Sequence, residues 1–284
     1  MIDTIVQAEI ENLAPMPASI ARLAGVVGDA NASAQDIAQV IELDQALTAN
    51  VLRLANSAWS AAAKEISSVR EAVLRLGGAR ILELAVGHRV ARSMSGRCDG
   101  YGLGEYELWR HSVAAALAAE RLDRFVTKPV PGVAFTAALV HDIGKLLLNR
   151  HLDRDVVAQI EAVAESEHLV QVEAERRVLG TDHAEVGGVI ASHWKFPAPL
   201  VQAIEYHHDP DVQPNALLDA VHIANAVAKL VGMGLGTEGM NMRASPESGS
   251  RLGLTATGLE SLCAVVVTDL AKTEELWGCK RHGA

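Results

Sequence analysis

The chain has 284 residues, 49% of them apolar but only 4% aromatic, and a formal charge of −10 from 25 Lys and Arg against 35 Asp and Glu. That length allows one large core or two modest ones, and an excess of Ala, Val and Leu suits closely packed helices. The acidic balance argues against non-specific binding to nucleic acid, which rests on neutralising phosphates.

The N-terminus, MIDTIVQAEIENL, lacks the basic start and apolar core of a signal peptide. Ser33 with Asp36, and Ser68 with Glu71, each read as a capping box ahead of an apolar periodic run. Asp44 is placed to cap the next helix, where Leu47, Val51, Leu52 and Leu54 recur at helical spacing. Gly77 and Gly78 separate 72–76 from 81–94. Residues 1–94 therefore read as five or six short helices. Within them Arg70, Arg75, Arg80, Arg89, Arg92 and Arg97 are opposed only by Glu71 and Glu83. This is either a solvated helix face or a surface for an acidic ligand, a nucleotide second messenger or a partner.

The Gly- and Ser-rich stretch 95–104 reads as a connection. Helices are then expected over 105–125, 132–151, 155–167, near 171–178, and over 184–195, 198–208 and 215–232. Pro129, Pro131, Pro197 and Pro199 mark breaks or first turns. Residues 232–250 hold five glycines and a proline without periodicity, which predicts a mobile loop. A helical pair, 256–264 and 265–277, closes the chain, although Val265 to Thr268 also has the composition of a strand. Cys98, Cys263 and Cys279 are scattered, without CxxC spacing. They suggest reduced thiols and a cytoplasmic protein, not a disulfide framework. No apolar run reaches membrane-spanning length, because HDIGK interrupts the longest candidate, so no membrane association is expected.

That interruption carries the chemistry. His141, Asp142 and Lys145 lie inside the apolar segment 133–148, where polar groups are costly unless paired, hydrogen-bonded or bound to a metal. His111 falls at the apolar edge of its helix, His183 and Glu185 open another, and His207 and His208 end a third. His222 and Asn225 share a fourth. Converging helices are one way to build a metal site in a bundle. Imidazole and carboxylate donors without sulfur suit Zn, Fe, Mn or Ni. Lys145, one turn beyond His141, would counter a phosphate charge on the same face. A shared polar site need not contain a metal. His151, His168, His193, His222 and His282 read as ordinary hydrogen-bonded histidines.

These residues resemble the HD superfamily of metal-dependent phosphohydrolases, whose signature is a histidine, an HD pair and a distal aspartate. Here they correspond to His111 in LWRHS, His141 and Asp142 in LVHDIGK, and, in place of the aspartate, Asn225 in VHIANAVA. The similarity is greatest to the HDOD domain of bacterial signalling proteins. It extends through LAPMPASIARL, LDQALTANVLRLANSAWS and ISSVREAVLRLGGARILELAV in the first half. In the second it takes in AFTAALVHDIGKLLL, DHAEVGGVIASHWKFP and AIEYHH. HDIGK and the His207-His208 pair also resemble HD-GYP phosphodiesterases, without the GYP tripeptide.

The resemblance implies an all-α fold: an N-terminal helical half (1–94) and an HD-like helical half with a C-terminal extension (95–284), the HDOD core spanning 13–210. It implies a metal site at His111, His141, Asp142, His183, His207 and His208. Two functions are compatible with it. One is a regulatory output module that contacts a signalling partner, such as a sensor or receiver domain, and has no settled enzymatic activity. The other is a metal-dependent phosphohydrolase of nucleotides or cyclic dinucleotides, with Asp142 and Lys145 as its catalytic groups.

Overall fold

The structure is a computed structural model that describes residues 8–56 (apart from 12 and 14), 66–239 and 245–277. It is all-α. In chain order the helices are α1 (Ala18–Gly28), α2 (Ala34–Glu42), α3 (Gln45–Ala55), α4 (Val69–Leu76), α5 (Gly78–Met94), α6 (Glu107–Leu122), α7 (Ala134–Val140) and α8 (Gly144–Leu148). They continue with α9 (Arg154–Glu167), α10 (Gln171–Leu179), α11 (His183–His193), α12 (Ala198–Glu205), α13 (Ala216–Leu230), α14 (Pro246–Leu252) and α15 (Ala256–Trp277). Among the described residues no single helix is long and apolar enough to cross a membrane. Cys279 and His282 lie outside the described residues, as does the side chain of Arg92.

The local signals act as expected at most helix starts. Ser33 and Asp36 form a reciprocal capping box, and Asp44 Oδ1 accepts from Leu47 N at 3.0 Å to start α3. At α4 only half of the expected box forms. Ser68 accepts from Glu71 N, while the Glu71 carboxylate turns to Arg75 at 2.7 Å. Gly77, at φ +80°, ends α4 and opens α5. Toward the C-terminus two expectations change. The loop after α13 contains helix α14, started by Ser245 accepting from Ser248 N. The expected final pair, with its strand-like run, is one continuous helix, α15. Its Leu262, Val266 and Leu270, spaced by four residues, are all buried, and that spacing on one face overrides β propensity.

Helices α1 to α5 pack on one another, and α5 carries this group onto α6 and α7. The centre of the second half is α6, which lies against α13, α7 and α15. Its run Ala114, Ala115, Ala116, Ala118 and Ala119 is buried, and α13 contributes Ala220, Ala224 and Ala228. Small side chains on both helices let the axes approach closely. Apart from Val172, Ala184 and Leu218, the buried apolar residues of both halves belong to a single core cluster running from Ile10 to Leu270.

Candidate metal centre

The HD pair does not sit mid-helix as the sequence suggests. The expected helix over 132–151 is broken, with α7 ending at Val140 and α8 beginning at Gly144. Between them the backbone tightens to i→i−3 bonds, Ile143 N to Val140 O at 3.0 Å and Lys145 N to Asp142 O at 3.0 Å. The cause is a backbone crossing. A Cβ on Gly144 would stand 2.0 Å from His183 O and 2.7 Å from Gly187 N, so only glycine lets α8 meet the start of α11. On α11, Gly187 faces Ile204 Cγ2 and Gly188 faces Glu205 Cβ, at 3.0 and 2.7 Å from an added Cβ. Glycine there brings α12 and the following His207 and His208 equally close. A helix break and two crossings thus gather residues from α6, the 141–143 turn, α11 and the end of α12.

Asp142 lies at the middle. Its Oδ2 is 3.5 Å from Nε2 of both His111 and His141. Its Oδ1 is 3.5 Å from His183 Nε2 and 3.7 Å from His207 Nε2. His111 and His141 face each other Nε2 to Nε2 at 3.3 Å, as do His183 and His208 at 2.9 Å. Asn225 Oδ1 reaches His111 Nε2 at 3.1 Å. In four of these rings the opposite nitrogen is engaged by oxygen. Nδ1 of His111 meets Met233 O at 2.9 Å, that of His141 meets Ala138 O at 2.6 Å, and that of His207 meets Ile204 O at 2.7 Å. Nδ1 of His183 meets Glu175 Oε2 at 2.8 Å. Those oxygens are acceptors only, so each Nδ1 donates and each Nε2 is left with a lone pair.

Lone pairs aimed at lone pairs and at a carboxylate repel unless a cation lies among them. His111, His141, Asp142, His183 and His207 are each at most 1% exposed, so water does not screen them. Asp142 Oδ1 and His207 Nε2 have no hydrogen-bond partner among the described residues. Burial pushes His111 down to about 4 and also lowers His141, His207 and His208. These four rings are therefore neutral, the form that ligates metal. Burial also disfavours the His183 cation, but the Glu175 carboxylate more than compensates and raises its pKa. For Asp142, burial is outweighed by His141 and Lys145, which hold the carboxyl ionised.

The donor atoms form two groups that share Asp142: His111, His141 and Asp142, and Asp142, His183, His207 and His208, each within 4.8 Å. This set of nitrogen and oxygen donors, oriented through their Nδ1 bonds, fits a divalent metal. Every residue that the sequence nominates is in the cluster or touching it. His151, His168 and His193 are not part of either group. His222 bonds His207 O at 2.8 Å and accepts from Ser245 N at 2.9 Å.

Several contributors escaped the sequence reading. Glu175, buried on α10, accepts from both His183 N and His183 Nδ1. Residues 232–239, expected as a mobile loop, instead form a strap across the centre. Gly232, at φ +80°, ends α13 with Met233 N returning to Ala228 O, which places Met233 O on His111. A Cβ on Gly234 would lie 2.6 Å from His111 Cβ, and one on Gly236 2.1 Å from Tyr101 O. Thr237 N donates to Tyr101 O at 2.9 Å. Beyond it the buried Glu238 carboxylate takes Lys145 at 2.6 Å and Lys229. Lys145 therefore lies between Glu238 and Asp142, at 2.9 Å from the latter, and 5.4 Å over the Tyr101 ring. A single acid in a glycine-rich loop offers no periodicity from which burial could be read.

Comparison with known proteins agrees with this arrangement. The HDOD domain family matches residues 13–210, a span that includes the six nominated ligands but ends before Asn225 and the strap. The structure superposes on an HDOD domain protein with unknown function from Geobacter sulfurreducens with a TM-score of 0.68 and 27% identity, covering 96% of this chain and 97% of that one. A "Putative signal transduction protein" from Marinobacter aquaeolei VT8 gives a TM-score of 0.71 at 25% identity, over 94% of this chain and 59% of that one. A "Putative phosphohydrolase" from Shewanella amazonensis SB2B shares the fold at a TM-score of 0.57 and 24% identity, over 94% and 93% of the two chains. In sequence, an uncharacterized protein of Treponema pallidum (strain Nichols) is 22% identical over 235 residues, which is 78% of this chain and 43% of that protein. The chain thus spans less than half the length of this curated relative. With the family pattern matched over residues 13–210 and the fold shared along nearly the whole chain, the protein belongs to the HDOD family.

Proposed function

We propose that this HDOD chain is a signal-transduction module that holds a divalent metal within its fold and acts through contact with a protein partner, such as a sensor or receiver domain. The observation that carries this reading is the closure of the centre. Five of the six ligands are at most 1% exposed, the sixth, His208, is half-buried, and Glu238 bonds the ammonium of Lys145, the group a substrate phosphate would require. His111, His141 and Asp142 would hold one ion, and Asp142, His183, His207 and His208 a second. Asn225, at the position of the superfamily's distal aspartate, supplies an amide oxygen where a charge is usual. The first group is thereby left one negative charge short, which weakens its hold on an ion and argues against turnover there. When bound, the metal supplies positive charge against the Asp142 carboxylate and the imidazole lone pairs. Glu175, Ala138 O, Ile204 O and Met233 O keep the rings aimed.

A hydrolytic reading is favoured by one observation, that all four buried rings are fixed through Nδ1 with Nε2 presented to Asp142. In that reading Lys145, released by movement of the strap, would neutralise the scissile phosphate of a nucleotide or cyclic dinucleotide. The two readings separate in one experiment. Protein purified without chelator is analysed for Fe, Mn, Zn and Ni and assayed on bis-p-nitrophenyl phosphate and cyclic dinucleotides. Stoichiometric metal, lost on His141→Ala, without enzyme-like turnover is the expected result. Turnover that disappears in His141→Ala would overturn the regulatory reading, and absence of metal would remove the centre from it.

A further inference from the structure

Beside the HDIGK segment, and lined by none of the residues of the metal centre, lies a cavity of about 580 Å³, within the ~300–1,000 Å³ of small-molecule sites. Its apolar walls include Val90 of α5, Ile143 and Leu147 of the HD turn and α8, and Ile190 and Trp194 at the end of α11. Three arginines, Arg89, Arg97 and Arg150, also line it, with Ser93 and Asn149, and among the described residues no Asp or Glu does. Arg97 is paired with Asp99 and Arg150 with Glu9. Arg89 is exposed and has no carboxylate partner among the described residues. A cationic surplus in a chain of charge −10 is a local feature, and among the described side chains of the arginine-rich stretch it is Arg89 and Arg97 that reach this cavity. Arg75 and Arg80 are spent on Glu71 and Glu83.

We infer that this cavity is a binding site for a nucleotide, its phosphate held by Arg89 with Arg97 and Arg150 and its base against Trp194 and the aliphatic wall. Guanidinium forks match phosphate oxygens bidentately, and a flat base uses an indole face well. Ser93 and the amide NH2 of Asn149, whose Oδ1 already accepts from Gly100 N at 2.9 Å, offer hydrogen bonds to sugar hydroxyls. A fatty acyl chain would leave both unused. The ligand would not touch the metal centre, yet Ile143 and Leu147 share a turn and a half of backbone with His141, Asp142 and Lys145. Ile190 lies on the same helix as His183. Occupancy would therefore bear on both metal groups through rigid elements. That consequence rests on the regulatory reading given above, whereas the binding itself does not.

The test is a fluorescence titration of the full chain with trinitrophenyl-ATP, followed by competition with AMP, inorganic phosphate and decanoate. Saturable binding of one probe per chain is expected, displaced by AMP and less well by phosphate. Arg89→Ala should weaken it at least fivefold and Arg89→Ala with Arg150→Ala further. Both side chains are exposed, so an unchanged circular dichroism spectrum shows that the fold is kept. Absence of saturable binding, affinity indifferent to both variants, or displacement by decanoate but not by AMP would each overturn the inference. Hydrolysis of the bound nucleotide dependent on His141 would sink the regulatory reading and leave this site standing. Loss of binding without hydrolysis would do the reverse.

Discussion

At the scale of single residues, the character of the centre follows from where the imidazoles keep their protons. Nδ1 of His111, His141, His183 and His207 is committed to an oxygen, so their Nε2 atoms face inward as acceptors, and Asp142 faces them with two more. Glu175 is the one charged group among those orienting partners. Replacing it by Gln keeps an acceptor for His183 but removes the charge that favours its basicity. Metal affinity measured against a competing chelator should fall by about 10–100-fold with the helical spectrum unchanged. Unchanged affinity would show that Glu175 serves packing only. Away from the centre, Glu83 is pushed up to about 7 by burial, with Arg80 at 2.6 Å only partly offsetting it. A folded-state value above the usual 4.5 means that the native chain holds a proton the unfolded chain gives up. The contribution is complete below pH 4.5 and lost as pH rises through about 7. Glu83→Gln should remove a decline of roughly 1–3 kcal/mol in unfolding free energy between pH 5 and 8. Parallel pH profiles for the two proteins would contradict this.

At the scale of elements, two glycine crossings and one strap make the site. Gly144 meets backbone atoms of α11, which cannot rotate away. Gly144→Ala should cost about 3 kcal/mol or more, lowering the melting temperature by roughly 6–12 °C. Gly96→Ala, with open space around the added carbon, should leave it nearly unchanged, and equal effects would argue against the crossing. The strap is held by charge as well as shape. Glu238→Gln leaves Lys145 with Asp142 alone and takes from the buried Lys229 its carboxylate, at a cost of about 3–5 kcal/mol. Adding Lys229→Met should recover part of that loss, because the stranded cation is then gone. Additive losses in the double variant would mean that Lys229 and Glu238 are not coupled.

At the scale of the whole molecule, one apolar cluster runs through both helical halves, with α5 as the element that bridges them. We take the halves divided near residue 94 as units of sequence that share this core in the folded chain. Metal that binds the folded state alone stabilises it by mass action, about 4 kcal/mol at a thousandfold excess over Kd. Chelation should therefore lower the melting temperature of the whole chain in a single transition, and readdition should restore it. His141→Ala should show neither response. A metal-insensitive transition in the native chain would place the ion outside the folding equilibrium.

The sequence by itself determined what depends on near neighbours. The all-helical class, the caps at Ser33 and Asp44, the stop at Gly77 and the chemical identity of the ligands were all legible there. The caps and the stop follow from side chains and backbone groups three or four positions apart, and the candidate ligands from the resemblance to the HD superfamily. Only the tertiary structure decided that α7 breaks at the HD pair, that α15 is one helix, and that the glycine-rich segment after α13 closes the centre. The bonds responsible join distant parts of the chain, as with His111 to Met233, 122 residues apart, and His111 to Asn225, 114 apart. Periodicity carries no record of such contacts, because Glu238, the buried residue of the strap, is covered by what distant parts of the chain bring to it and not by any pattern of its own.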